Sequence, residues 1–276
     1  MTEHSRTLRA GRSRRSGRRG LTRRGAVRLA AVFAAASAVV AGATACNVQP
    51  GAAAFIDGNR ITQAQVDDVF QSIIDAPAYR GIQQEQDASR QQQAYANLRT
   101  SAAGELIMHE LTQRVAADEH IEIPPADYAG LAQQTGLPED NKYVRLEAEN
   151  QAAINTLRNA AWNTAPDDKS VRSVYDSLAQ DAASNGLGLK PYEQIAPEIK
   201  KTPKVGQTAA LRGTFESAIK KYHLDVSPRY GQLEYPITAL TLSTPDGKSL
   251  TGSIPLQLGE GSPNVVHVVS AAGTAG

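Results

Sequence analysis

Few residues in this 276-residue chain have the type and spacing for chemistry, and the most telling is its only cysteine. Cys46 follows Ala43, Thr44 and Ala45, three small residues behind the uncharged apolar run LAAVFAAASAVVAG at 29–42. A nucleophilic sulfur delivered at membrane depth, with small neighbours that fit a peptidase cleft, suits attachment of a lipid to the thiol and cleavage between Ala45 and Cys46. A lone thiol has no intrachain partner for a disulfide. Lipidation is therefore the chemistry expected of Cys46, set against a stray thiol in an alanine-rich segment.

Other chemistry is hard to find. The chain has no Gly-x-Ser-x-Gly turn, no phosphate-cradling glycine loop and no GxGxxG. His109, His120, His223 and His267 are scattered, with no partner at metal-ligand spacing. His109 and Glu110 are sequence neighbours on a helical pattern and so point in different directions. Asp67-Asp68 and Asp167-Asp168 each fall in a helix's first two turns, where negative charge complements the helix dipole. Trp162 and the tyrosines sit at core spacings, with an exposed aromatic cluster as the rival reading. No catalytic, cofactor-binding or metal-binding residue is assigned, no cofactor is expected, and the chain is read as not an enzyme.

The elements ahead of Cys46 explain its placement. Residues 1–28 carry ten arginines and one glutamate, and no charge follows until Asp57. A basic segment, a short apolar core and small residues make the layout of a secretory signal, whose arginines stay on the cytoplasmic side. The apolar run is shorter than the ~20 residues of a permanent span, and Asn47, Gln49, Pro50 and Gly51 follow it at once. Residues 1–45 thus read as a signal peptide and 46–52 as a tether. The junction resembles the bacterial lipobox, with Ala43 where that pattern usually has leucine. The resemblance implies a diacylglycerol on Cys46, a lipoprotein on the outer face of the cytoplasmic membrane, and anchoring stronger than one acyl chain supplies. Whether export runs by the general or the twin-arginine route, suggested by TRRGAVR at 22–28, stays open.

Removing the signal changes the charge. The whole chain is formally +1, whereas the part after residue 28 has 19 Lys/Arg against 27 Asp/Glu, a net of −8. Such an acidic body excludes the basic face that nucleic-acid binding needs.

About 230 residues remain, enough for one moderate domain or two small ones. Residues 53–61 predict a hairpin turning at Asp57-Gly58-Asn59. Thr62 and Gln65 have capping-box spacing, and the following helix places Val66, Val69, Phe70, Ile73 and Ile74 on one face. The glutamine-rich 81–93 reads as a solvated loop or outer helix face. Further helical stripes run through Leu98–Val115, from Ala126 to the break at Gly136, through 141–162, Val171–Ala182, Tyr192–Ile199 and Leu211–Tyr222. Seven helical patterns make the fold mostly α. After Tyr235 the pattern turns to alternating β-type residues around Pro245-Asp246-Gly247, with NVVHVVSA as a strand and a frayed end. That predicts one small hairpin or an irregular cover over 236–276.

GAAAFIDGNRITQAQVDDVF at 51–70 resembles the N-terminal domain of SurA-type periplasmic chaperones, in which a small hairpin feeds the first helix. LIMHELTQRVAADEHIEIPPADYAGL at 106–131 resembles that domain's next element. HLDVSPRYGQLEY at 223–235 is similar to the ending of small actinobacterial lipoproteins with this domain, with Ser227 for the usual asparagine. The resemblance covers about 53–235 and implies a SurA N-terminal-like helical chaperone module. Full foldases of this type also carry a parvulin prolyl-isomerase domain. Only AQDAASNGLGLKP at 179–191 lies where it would fall, so the isomerase is not expected. What is implied is a membrane-tethered holdase for secreted or unfolded clients, or alternatively an envelope scaffold that binds one folded partner. No small-molecule substrate is indicated.

Overall fold

A computed structural model describes residues 51–161, 164–244, 247–259 and 263–265. Cys46, Ala45, the signal and most of the tether therefore lie outside the described residues, as do Trp162 and His267.

The chain begins with β1 (Ala52–Ile56) and β2 (Asn59–Thr62), paired antiparallel. Asp57 and Gly58 take φ values of 50° and 77°, the left-handed pair that a two-residue hairpin turn requires. Helix α1 (Gln63–Ile74) starts at the expected capping box. The Thr62 side chain accepts from Gln65 N, and Gln65 Oε1 accepts from Thr62 N at 2.7 Å. All five residues of its anticipated apolar face are buried. A four-residue helix α2 (Arg80–Gln83) precedes α3 (Ala88–Asp118), so the glutamine-rich stretch is divided between a helical turn, a short loop and the exposed start of a 31-residue helix.

Next come α4 (Tyr128–Thr135), closed by Gly136 at φ 69°, α5 (Lys142–Ala160), α6 (Asp168–Ser184), α7 (Tyr192–Lys201) and α8 (Pro203–Lys221). Eight helices among the described residues, a small N-terminal hairpin and further strands near the C-terminus make the fold mostly α. The eighth, α2, is too short to register as a periodic pattern.

After α8, β3 (Asp225–Val226) pairs with β1, giving a sheet of order β2-β1-β3. The PRYG stretch then folds back onto the start of α1. Arg229 Nη1 and the Tyr230 hydroxyl donate to Gln63 Oε1 at 2.9 and 2.7 Å, while Gln63 Nε2 donates to Ala52 O. Two of the three motifs that carry the resemblance, the first and the last, are thus in direct contact, joined through one glutamine.

A second sheet, of order β5-β4-β6, contains β4 (Gln232–Ser243), β5 (Ser249–Gln257) and β6 (Pro263–Val265). The boundary expected after Tyr235 falls inside β4, and the hairpin is much longer than anticipated. Pro236 hides the strand in the sequence, because proline gives no ladder N–H. In the fold Pro236 faces Pro255. That suits an antiparallel site at which facing residues exchange no hydrogen bonds.

The hairpin joins two apolar cores. One packs β1, α1, α3, α4, α5, the second half of α8 and the residues Leu233, Tyr235 and Ile237 of β4. The other packs α6, α7 and Val205 of α8 against Ala239, Leu250 and Ile254. Helix α6 lies across β5 so closely that a Cβ on Gly252 would come within 2.8 Å of Val174 Cγ1. Its side chains also cover the free edge of β5. Asp181 Oδ2 accepts from Thr251 N at 2.7 Å, and Ser177 Oγ donates to Thr251 O at 3.2 Å. A capped strand edge resists pairing with another chain.

Candidate functional site

A groove of about 1200 Å³ opens between α5, α6 and the β4–β5 hairpin, with Glu105 of α3 and Lys204 of α8 also on its wall. One stripe of α5 supplies Glu147, Gln151, Asn155 and Arg158 to it, near the three- and four-residue steps that share a helix face. From Glu147 to Arg158 the helix rises about 16 Å.

At one end lie two buried carboxyls. Glu105 and Glu147 are 1 % and 2 % exposed. Glu105 Oε2 accepts from Asn150 Nδ2 at 2.7 Å and from the Tyr235 hydroxyl at 3.1 Å. Burial pushes the Glu105 pKa well above the carboxylate range, and the charge and hydrogen bond of Glu147 push it further. The hydrogen bonds from Asn150 and Tyr235 oppose that rise without reversing it. Burial and the neighbouring carboxyl thus favour the protonated form of Glu105. Glu147 Oε2 is buried with no hydrogen-bond partner. Glu147 Oε1 accepts from Gln151 Nε2 at 2.7 Å. The Tyr235 hydroxyl is likewise pushed up, by burial and then by the Glu105 charge.

At the other end Arg158 is 6 % exposed. Its Nη1 donates to Thr238 O at 3.0 Å, beside the register shift between Thr238 and Leu240 in β4. A bulge of this kind disrupts the ladder locally, and the guanidinium takes up a carbonyl there. Nη2 donates to Asn155 Oδ1, while Nε has no partner. Burial lowers the pKa of Arg158 below the ordinary arginine value. Lys204 is also lowered, by burial first and then by the charge of Arg158.

The residues weighed from the sequence do not assemble into a site. His109 Nδ1 lies 3.7 Å from Glu149, whose other oxygen accepts from the Tyr128 hydroxyl. Glu110 pairs instead with Arg114. His120 and His223 end α3 and α8 with φ of 54° and 49°, a helix-capping conformation. Asp67 and Asp68 diverge, the first to Arg99 and the second to Lys142. Asp167 caps α6 through Ser170 N, and Asp168 meets Lys200. No group of three or more metal-ligating residues occurs among the described residues. Tyr175 and Tyr192 are half-buried and stack edge to face at 5.3 Å, with Arg172 over both rings.

The groove residues were missed although their signal was present. Glu105 follows Leu98 and Ala102 at seven- and three-residue steps. Glu147, Asn150 and Arg158 share the stripe of Tyr143 and Ile154. Charged or amide residues at core spacing mark buried polar groups, and they escape a search for known motifs. Compared with known proteins, the chain matches no family model, no curated protein and no solved structure.

Proposed function

We propose that the chain is a non-enzymatic, lipid-anchored binder on the outer face of the cytoplasmic membrane that holds extended segments of secreted or unfolded polypeptide in this groove. The observation that carries the reading is a groove of mixed lining, in which Ile154, Pro236 and Ile237 lie among side chains that offer both donors and acceptors. An extended main chain presents both kinds of group at each residue, so such a groove can accept many sequences. About 16 Å of helix matches roughly five extended residues. The chaperone-like character and the anchor at Cys46 rest on the sequence motifs, and the groove gives them a seat for the client.

The purified chain is expected to suppress light scattering by an unfolding model protein at near-equimolar ratio. Unchanged scattering at excess chain contradicts the reading. The anchor is checked by the intact mass of membrane-extracted protein, which should be that of a chain starting at Cys46 plus acyl groups. The half-buried Tyr175–Tyr192 pair with exposed Arg172 over it favours a second reading, an envelope scaffold, because aromatic and arginine side chains are enriched at protein interfaces. A pull-down yielding one stoichiometric folded partner, lost in Tyr192→Ala, would favour it.

A further inference from the structure

The groove lining is acidic on balance, and unevenly so. Glu105, Glu147, Asp176, Asp181 and Glu234 face it, against Arg158 and Lys204. Two of the carboxylates are engaged within the fold. Asp176 pairs with Arg172 at 3.0 Å, and Asp181 accepts from Thr251 N at 2.7 Å and from Asn185 Nδ2 at 3.2 Å. The two cations lie together, and Arg158 acts on Lys204 as a like charge. Glu147 and Glu234 lie towards the opposite end. Glu147 accepts from the neutral Gln151, and neither carboxylate pairs with a described cation.

These two residues play different parts. Glu147 is 2 % exposed, and its charge helps to keep Glu105 protonated. Buried charges are ordinarily paired, and a buried charge is screened less than one in open water, so its field extends into the space beside it. Glu234 is half-buried and stands on the face of β4 that Pro236 and Thr238 share, where a ligand can touch it. Pro236 offers apolar surface for the methylene stem of a long cationic side chain whose head reaches Glu234. From Glu234 to Thr238, which binds Arg158, β4 runs about 13 Å. Arg158 and Lys204 would repel a cation at their end, so a cation has one favourable seat. The net charge of −8 after residue 28 adds a general attraction for basic segments.

We propose that the Glu147–Glu234 end of the groove seats a lysine or arginine side chain of the bound extended polypeptide, so that the segments held are basic ones. This rests on the groove being the peptide seat and names the class of segment it takes.

The test is fluorescence anisotropy on the purified chain, as the cell processes it, with three labelled eight-residue peptides. They have blocked ends and differ only in two central residues, which are lysine, glutamine or glutamate. The lysine peptide is expected to bind at least fivefold more tightly than the glutamine peptide, and the glutamate peptide more weakly than either. Raising the salt from about 0.05 to about 0.5 M should shrink the lysine advantage. Glu234→Gln should remove most of it without moving the unfolding midpoint, because Glu234 holds no described cation. Equal binding of the three peptides, or tighter binding of the glutamate peptide, overturns the basic preference and leaves peptide binding standing. A lysine advantage that survives Glu234→Gln intact overturns the seat assigned here. Spermidine that displaces the lysine peptide at the peptide's own concentration overturns the polypeptide as the occupant. Binding of none of the peptides overturns both the preference and the groove reading.

Discussion

Glu105 is the residue with the most predictable behaviour. It sits at the contact of both α3 and α5 with β4, and burial makes its charged form unfavourable. In the unfolded chain it releases its proton near 4.5, and in the fold only at higher pH. Between those values the folded state binds more protons than the unfolded one, so stability falls as pH rises through the window. The slope approaches about 1.4 kcal/mol per pH unit for a single group. Asp118 and Asp167, held below their ordinary 3.8, act in the opposite sense and below this window. Glu105→Gln mimics the protonated acid, so its urea-unfolding stability should be nearly flat from pH 5 to 8 where the wild type declines. A parallel decline in both would show that Glu105 is not the group responsible. At this scale the sequence was half legible. Glu105 and Glu147 stood openly on apolar stripes, but nothing in either helix's own periodicity says that two such stripes meet. That contact depends on how α3 and α5 pack.

Among the elements, the most local were the most readable. The β1–β2 turn and the α1 capping box depend on residues a few positions apart, and both formed as expected. The C-terminal hairpin was underestimated because Pro236 interrupts its pattern and because what stabilises it, α6 across β5, is remote in the chain. Gly252 marks that contact. An alanine there would meet Val174 Cγ1 at 2.8 Å and the Val174 carbonyl at 3.2 Å. Backbone cannot yield as a flexible side chain does, so Gly252→Ala should cost about 1–3 kcal/mol. It should also lift α6 away from the hairpin and alter the groove. Gly213 on exposed α8 surface has nothing within 4 Å of a new Cβ. Gly213→Ala should therefore stabilise by about 0.5–1 kcal/mol through helix propensity alone. Urea midpoints of the two variants moving the same way would contradict this assignment of the α6–β5 packing.

For the whole molecule, the chain closes on itself where its recognisable motifs lie. β3 joins the N-terminal hairpin, and Arg229 and Tyr230 fasten to Gln63, so the two ends of the expected module meet although 166 and 167 positions separate them. The long β4–β5 hairpin then ties the core around α1, α3 and α5 to the α6–α7 core, both within the expected module, and the groove opens along that junction. A groove made by elements so distant in sequence has no local signature, although single lining residues such as Glu105 and Glu147 show in the periodicity of their own helices. The direct test is site-specific photo-crosslinking to an unfolded client, with the reactive side chain placed at Gln151 or Gln180 in the groove, or at Gln92 on the exposed start of α3. Strong client adducts from Gln151 and Gln180, and weak ones from Gln92, are the expected result. Adducts equally strong from Gln92, or none from the groove positions, would contradict the account.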